Sequence, residues 1–266
     1  MNFVIFNFSG TGNTYFVAKQ LQADLQSQGS TCSILNLESS DSFDALIAEA
    51  DVIGLGYPIY GSDMPQPVHT FIEGLKNGQG KRAFVFCTQV IYSGDGAAVG
   101  ARLLRKKGFN VRQLAHFNMP NNITDFKIVR WIKPASYEKL SKKVALKSEK
   151  LAKRIVLNQK KRKGQNPLSL CLGLLQRGPY RLGKKFFTPK LKIDKDCVLC
   201  KKCIELCPSQ HLKKGDNNIM TEGSCYLCYR CINHCPVQAL HFTKRAKVKR
   251  PYHGPTKDFD IYEVMK

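Results

Sequence analysis

The sequence predicts an α/β chain: a doubly wound parallel sheet of five strands, order 2-1-3-4-5, followed by a second, small α+β domain built around cysteines. Three observations carry this. Strand-like apolar runs alternate with amphipathic helical runs from Met1 to Lys160, the pattern of repeated β-α units. A glycine and hydroxyl hexamer, S-G-T-G-N-T, stands at the first strand-to-helix turn. Near the end, one cysteine spacing occurs twice.

The expected strands are 3–7, 31–37, 52–57, 82–88 and 111–118. Three of them (3–7, 52–57 and 82–88) are nearly continuously apolar, as strands covered on both faces are. Val17, Leu21 and Leu25 share the face of a helix that begins near Tyr15 and stops at Gly29. Val68, Phe71, Ile72 and Leu75 share another. After the fifth strand, Pro134 can open a helix at N1, and 127–163 reads as one long cationic helix ending in KKRKG. Tyr137, Leu140, Val144, Leu151 and Ile155 form its apolar stripe.

At 266 residues the chain has room for one large or two smaller domains. No basic, apolar leader is visible, and no apolar run approaches the ~20 residues of a membrane span. The longest, 168–175, has eight residues. A reducing cytoplasm is therefore expected, where clustered cysteines hold metal rather than form disulfides. The net charge of +22 is unevenly placed: −5 over 1–100, +21 over 101–196 and +6 over 197–266. The basic middle reads as a solvated helix face, as a docking patch for an acidic redox partner, or as a surface for nucleic acid or anionic lipid. It contains no helix-turn-helix and no aromatic-basic repeat that would point to nucleic acid.

The hexamer Ser9, Gly10, Thr11, Gly12, Asn13 and Thr14 is an anion-binding candidate, because a helix N-terminus presents free N–H groups and positive potential. It is no P-loop, since no Lys lies between residues 1 and 18, and Tyr15 stands where a dinucleotide fingerprint needs its third glycine. A neutral loop of this kind suits a phosphate monoester wrapped by uncharged donors. An open α/β sheet binds ligands outside the carboxyl ends of its strands. The turns after strands 3 and 4 should therefore converge on the hexamer. They contain Pro58, Ile59, Tyr60 and Gly61, and then Thr88, Gln89, Tyr92, Ser93, Gly94 and Asp95. The tyrosines can cover a flat ring, so FMN is the expected ligand. Asp95 can alternatively cap the helix that starts near Gly96.

S-G-T-G-N-T resembles the FMN phosphate loop of flavodoxins, [ST]-x-T-G-x-T. The resemblance implies a flavodoxin-like fold, with Ser9, Thr11, Asn13 and Thr14 around the phosphate and the other two loops around the ring. Asn121 and Asn122, in the turn after strand 5, can reach the flavin edge, and a role in the loop itself is the preferred reading.

Cys197, Cys200, Cys203 and Cys207-Pro208 have the spacing C-x2-C-x2-C-x3-C-P, and Cys225, Cys228, Cys231 and Cys235-Pro236 repeat it in full. This resembles the run of bacterial two-cluster ferredoxins, in which the Cys before Pro ligates the other cluster. The resemblance implies two 4Fe–4S clusters: one on Cys197, Cys200, Cys203 and Cys235, the other on Cys225, Cys228, Cys231 and Cys207. Two full repeats with both prolines argue against zinc. Cys32, Cys87 and Cys171 are isolated and are expected to be ordinary buried thiols.

The chain thus resembles a flavodoxin–ferredoxin fusion: 1–160 the flavodoxin-like domain, 161–190 a basic linker, 191–245 the two-cluster domain and 246–266 a tail without a motif. The function expected is electron transfer, with clusters and FMN linking one-electron and two-electron partners. The alternatives are an FMN-dependent reductase of a small substrate fed by the clusters, and a redox sensor. No catalytic side chain is assigned; Tyr60 and His69 are weak candidates.

Overall fold

The computed structural model describes residues 1–38, 43–124, 136–186, 191–242, 248 and 250–265. The expected helix start at Pro134, and residues 127–135 with it, lies outside them. The front of the chain runs β1 (Asn2–Asn7), α1 (Asn13–Gln26), β2 (Thr31–Asn36), α2 (Asp44–Glu49), β3 (Val52–Pro58), α3 (Gln66–Gly74), β4 (Arg82–Gln89), α4 (Gly96–Lys106), β5 (Asn110–Asn118) and α5 (Tyr137–Val156). β1 to β5 pair in parallel in the order β2-β1-β3-β4-β5.

The two-residue period of the strands divides the core between the two faces. Phe3, Ile5, Phe84, Phe86 and Phe117 pack under α1 and α5, against Val17, Leu21, Val144 and Ile155. Val4, Phe6, Ile53, Leu55, Val85 and Cys87 face the other way, under α3 and α4. Strands buried on both faces read as continuous apolar runs, which is why these three were legible.

The sheet gains a sixth strand that the sequence did not predict. β6 (Lys161–Arg162) adds in parallel beside β5, pairing Gln113 with Lys161 and Leu114 with Arg162. The cationic helix therefore stops earlier than KKRKG. Asn158 takes a left-handed backbone (φ 53°), and the Gln159 N–H returns to the Arg154 carbonyl at 2.9 Å. That is a C-terminal stop made with Asn rather than Gly. The Gln113 side chain then holds the returning strand by donating to the Gln159 carbonyl at 2.5 Å.

The stretch expected to be a linker, with only a short helix at 168–175 docked between domains, is instead helical over twenty residues. After β6 comes α6 (Pro167–Phe186), twenty residues long. Asn166 caps it, accepting from the Ser169 N–H at 2.7 Å, with Pro167 in the first turn. Of the glycines and prolines that suggested a linker, Pro167, Gly173, Gly178, Pro179 and Gly183 fall within this helix, and Pro189 lies outside the described residues.

The cysteine-rich end has β7 (Lys192–Ile193), α7 (Lys202–Glu205), β8 (Leu212–Lys214), β9 (Ile219–Thr221), α8 (Arg230–His234) and β10 (Leu240–His241). β7 pairs antiparallel with β10, and β8 with β9. Leu191, Leu212, Ile232, Leu240 and Phe242 form its own small core.

Candidate functional site

The three loops expected to form a ligand site stand together at the carboxyl end of the sheet. Thr14 Oγ1 and Thr88 Oγ1 are 2.8 Å apart, joining the first loop to the third. Ile59 donates its N–H to the Thr88 carbonyl at 2.9 Å, joining the second to the third. Gly12 is the N-cap of α1, left-handed at φ 94°, and has no side chain of its own to cap the helix; Ser9 Oγ accepts one first-turn N–H, that of Tyr15, at 3.3 Å. Uncapped N–H groups on a glycine turn are the chemistry of an anion cradle. Ser9, Thr11, Asn13 and Thr14 are buried around it, and the Tyr60 hydroxyl is buried without a hydrogen-bond partner among the described residues. By donor type, these groups fit a phosphate monoester.

Later parts of the chain lie across all three loops. A Cβ on Gly10 would meet the Cys228 carbonyl, and one on Gly12 would overlap the Phe259 ring. Asn122 donates to Thr11 Oγ1 at 3.0 Å, and the Tyr252 hydroxyl to Asn13 Oδ1 at 2.5 Å. Over the second loop lies Tyr180, packed against Gly61 (φ 57°). Over the third, the α6 backbone at Ser169 and Gly173 touches Gly94 (φ 58°), leaving no room for a side chain there.

Charged groups hold α6 in place. Arg177 is buried; it donates from Nε to the Ser62 carbonyl at 3.0 Å and from Nη2 to Asp95. Asp95 is fully buried and its second oxygen takes Arg102 at 2.6 Å. Asp95 thus anchors the helix above it instead of capping α4 with its side chain. Arg181 reaches Asp63 at 2.7 Å, and Asp63 also accepts from the Met64 N–H and sits 3.3 Å from His69. Burial alone would raise the Asp63 pKa; its bonds to His69, Arg181 and Met64 outweigh that and hold it well below the usual carboxylate range. Ser93 closes on Gln89, donating at 2.5 Å. Tyr92 is half exposed, 3.1 Å from Ser169. A cleft lies beside the covered loops, lined by Tyr60, Asp63, His69, Tyr180, Arg181 and Tyr226.

The cysteine loops show an internal repeat in the backbone itself. Left-handed non-glycine residues occur at Leu199, Lys201 and Gln210, and again at Leu227, Tyr229 and Gln238, the matching positions of the two runs. Such residues cost roughly 1–2 kcal/mol each. Six in two matching loops mark a backbone wound tightly for a purpose. Two ligand-type sulfurs accept backbone N–H groups: Cys225 from Leu227 at 3.4 Å and Cys235 from Ala239 at 3.2 Å.

The sulfurs group across the two loops. Burial, then the neighbouring Cys197, Cys200 and Cys235, pushes the Cys203 thiol up to about 11. Burial, then Cys228, Cys225, Cys207 and, from the first set, Cys203, raises Cys231 well above the ordinary thiol value. Among the described residues no three His, Cys, Asp or Glu form a site for a single metal ion. Cubane ligands bind separate corners of a cluster and need no such convergence on one ion. The backbone winding, the N–H···S bonds and the grouping all fit two clusters. Of the three isolated cysteines, Cys32 and Cys87 are buried as expected; Cys171 is exposed, on the outer side of α6, a correction that follows from α6 lying at the surface.

The two halves meet at Arg230, between Cys228 and Cys231. It is fully buried and donates to the carbonyls of Gly10 (2.8 Å) and Ser9 (2.7 Å) and to Glu38 just beyond β2. Asn233 of α8 donates to the Asn122 carbonyl at 2.9 Å. The tail, which carries no motif, packs Phe259, Ile261 and Val264 against Tyr15 and Leu206. None of Glu38, Arg177, Tyr180, Arg230, Tyr252 and Phe259 was assigned to the site from the sequence. Arg230 alone had a signal, its place inside a cysteine run.

No protein-family model matches the chain, and no curated protein sequence matches it. Among solved structures it is similar to a flavodoxin from the domain Archaea: 17% identity, TM-score 0.43, covering 59% of this chain and 99% of that one. It is also similar to two-electron reduced Megasphaera elsdenii flavodoxin: 24% identity, TM-score 0.42, covering 57% and 99%. Rubredoxin oxygen:oxidoreductase from the anaerobe Desulfovibrio gigas is 15% identical, TM-score 0.44, covering 59% of this chain and 36% of that one. The front of this chain has a flavodoxin-like fold, and it is the observed strand order β2-β1-β3-β4-β5 that assigns it.

Proposed function

We propose that this protein is an electron-transfer protein carrying two 4Fe–4S clusters, with a flavin site in its front domain that the chain itself keeps closed. The observation that carries the reading is the doubled backbone winding around the eight cysteines, left-handed at matching positions of the two runs. One cluster would be held by Cys197, Cys200, Cys203 and Cys235, the other by Cys225, Cys228, Cys231 and Cys207. Each would supply one-electron chemistry.

The surroundings of the two sets differ. Cys200 is exposed, as are Val198 and Leu199 beside it; Cys228 and Cys231 are buried, with the Cys228 carbonyl against Gly10. The first set is therefore the side that exchanges electrons with an outside partner, and the second faces the front domain. The basic residues of 101–156, before Lys160 and α6, are the part of the segment 101–196 on which an acidic redox protein would dock, and the cysteine usage suits a reducing cytoplasm.

FMN would be held by Ser9 to Thr14, by Pro58 to Gly61, and by Thr88, Gln89 and Tyr92 to Asp95, once α6 and the tail had withdrawn. It would add the capacity to store one or two electrons. The reductase alternative has a location too, the cleft lined by Tyr60, His69 and Tyr226. Iron and acid-labile sulfide analysis of anaerobically purified protein tests the cluster reading. About eight iron atoms per chain are expected from two cubanes, and native protein loaded with zinc or free of iron overturns it.

A further inference from the structure

α6 is an amphipathic helix mounted the wrong way round for a core helix. Its inner face is Ser169, Gly173 and Arg177, all buried, a row at four-residue spacing that meets the loops through polar atoms. The opposite face carries Leu168, Leu175 and Leu182, one every seven residues, with Leu174 beside them, each more than half exposed. On a 3.6-residue helix these leucines form a single stripe. Surface helices of soluble domains ordinarily turn such a stripe inward. Here the buried Arg177–Asp95 pair, and the pair of exposed Arg181 with buried Asp63, hold the helix with its leucines outward.

The charge around the stripe says what would cover it. Between residues 150 and 193 the chain has 13 Lys or Arg and no Asp or Glu. Lys160, Lys161, Arg162 and Lys163, all exposed, lie just before the helix, and Arg181 is exposed near its end. A second copy of this chain would bring the same cations against these. Nucleic acid would satisfy the cations and leave the leucines in water. An anionic lipid surface satisfies both: leucines enter the acyl boundary while the flanking cations meet the headgroups. No helix among the described residues is long and apolar enough to cross a membrane; α6 would lie in the plane of the interface.

We infer that the outer face of α6 is a docking surface for an anionic lipid bilayer. It rests on exposed side chains and charge alone, independently of the cofactors.

The test is vesicle flotation with the full, anaerobically purified protein. One set of vesicles is phosphatidylcholine alone and the other contains phosphatidylglycerol. The wild type should float with the anionic vesicles, poorly with the neutral ones, and less as salt rises. The double variant Leu175→Ser, Leu182→Ser should bind roughly a hundredfold more weakly, about tenfold per leucine, with circular dichroism unchanged because both side chains are exposed. Replacing Lys160, Lys161, Arg162 and Lys163 with Gln should weaken binding and flatten its salt dependence. Failure to float with anionic vesicles overturns the inference, as does binding that ignores the leucine pair. So does a dimer in sedimentation that the leucine variant dissolves, since the stripe would then be a contact between copies.

Discussion

Arg230 and Glu38 form a buried ion pair across the two halves of the molecule, with Nη1 2.8 Å from Oε2 and a second, parallel bond from Nη2 to Oε1. The two residues are 192 apart in sequence. The same guanidinium holds two carbonyls of the glycine loop, so one side chain joins a cysteine loop to the end of the sheet.

Removing one partner of this pair should be costly. Arg230→Met leaves the Glu38 carboxylate in the interface without its cation and should destabilise the protein by ~3–5 kcal/mol. The double variant Arg230→Met, Glu38→Gln should recover part of that loss. Denaturant unfolding followed by circular dichroism measures both. Single and double variants with equal losses would show that Arg230 works mainly through Ser9 and Gly10.

Under the proposed crossed ligation of two clusters, the fourth cysteine of each run is diagnostic. Cys207→Ser should disturb the cluster on Cys225, Cys228 and Cys231, and Cys235→Ser the one on Cys197, Cys200 and Cys203. Paramagnetic resonance of the reduced protein separates the two signals. If each variant damages the cluster of its own run instead, ligation is not crossed.

Flavin and α6 should compete. A ligand that needs a minor conformation binds more weakly by the fraction that is open. Arg177→Ala with Arg181→Ala removes both ion pairs that hold the helix. Each ~1.4 kcal/mol of weakened docking should tighten apparent FMN binding about tenfold. Quenching of flavin fluorescence in an anaerobic titration reads this. Equal affinity in wild type and variant would mean that α6 does not guard the site. No binding in either would remove FMN from the function.

His116 should impose a pH dependence on stability. Burial, with Lys163 and Lys147 nearby, lowers its pKa to about 4, and its Nε2 accepts the Ala97 N–H at 3.2 Å. The folded state thus prefers the neutral ring. The contribution is present in full above the unfolded value near 6.5 and is lost as pH falls from there towards 4. The loss should reach about 3 kcal/mol across that window. His116→Gln should show a shallower fall in unfolding free energy over the same range.

The order of the first five strands, the convergence of three loops and the doubled cysteine spacing were legible in the sequence by themselves; the sixth strand was not. What was legible depends on local periodicity and spacing: buried parallel strands are apolar throughout, and the cysteine run repeats its own pattern. What covers the loops was not legible. Arg177 reads as one more charge in a basic segment, and only folding brings it 82 residues back to Asp95. Phe259 lies in a tail with no motif and reaches Gly12 only through the docking of the cysteine domain. The stop at Asn158 and the outward leucines of α6 belong to the same class. A side chain's partner across the fold is set by which surfaces meet, and sequence spacing along one element carries no record of that.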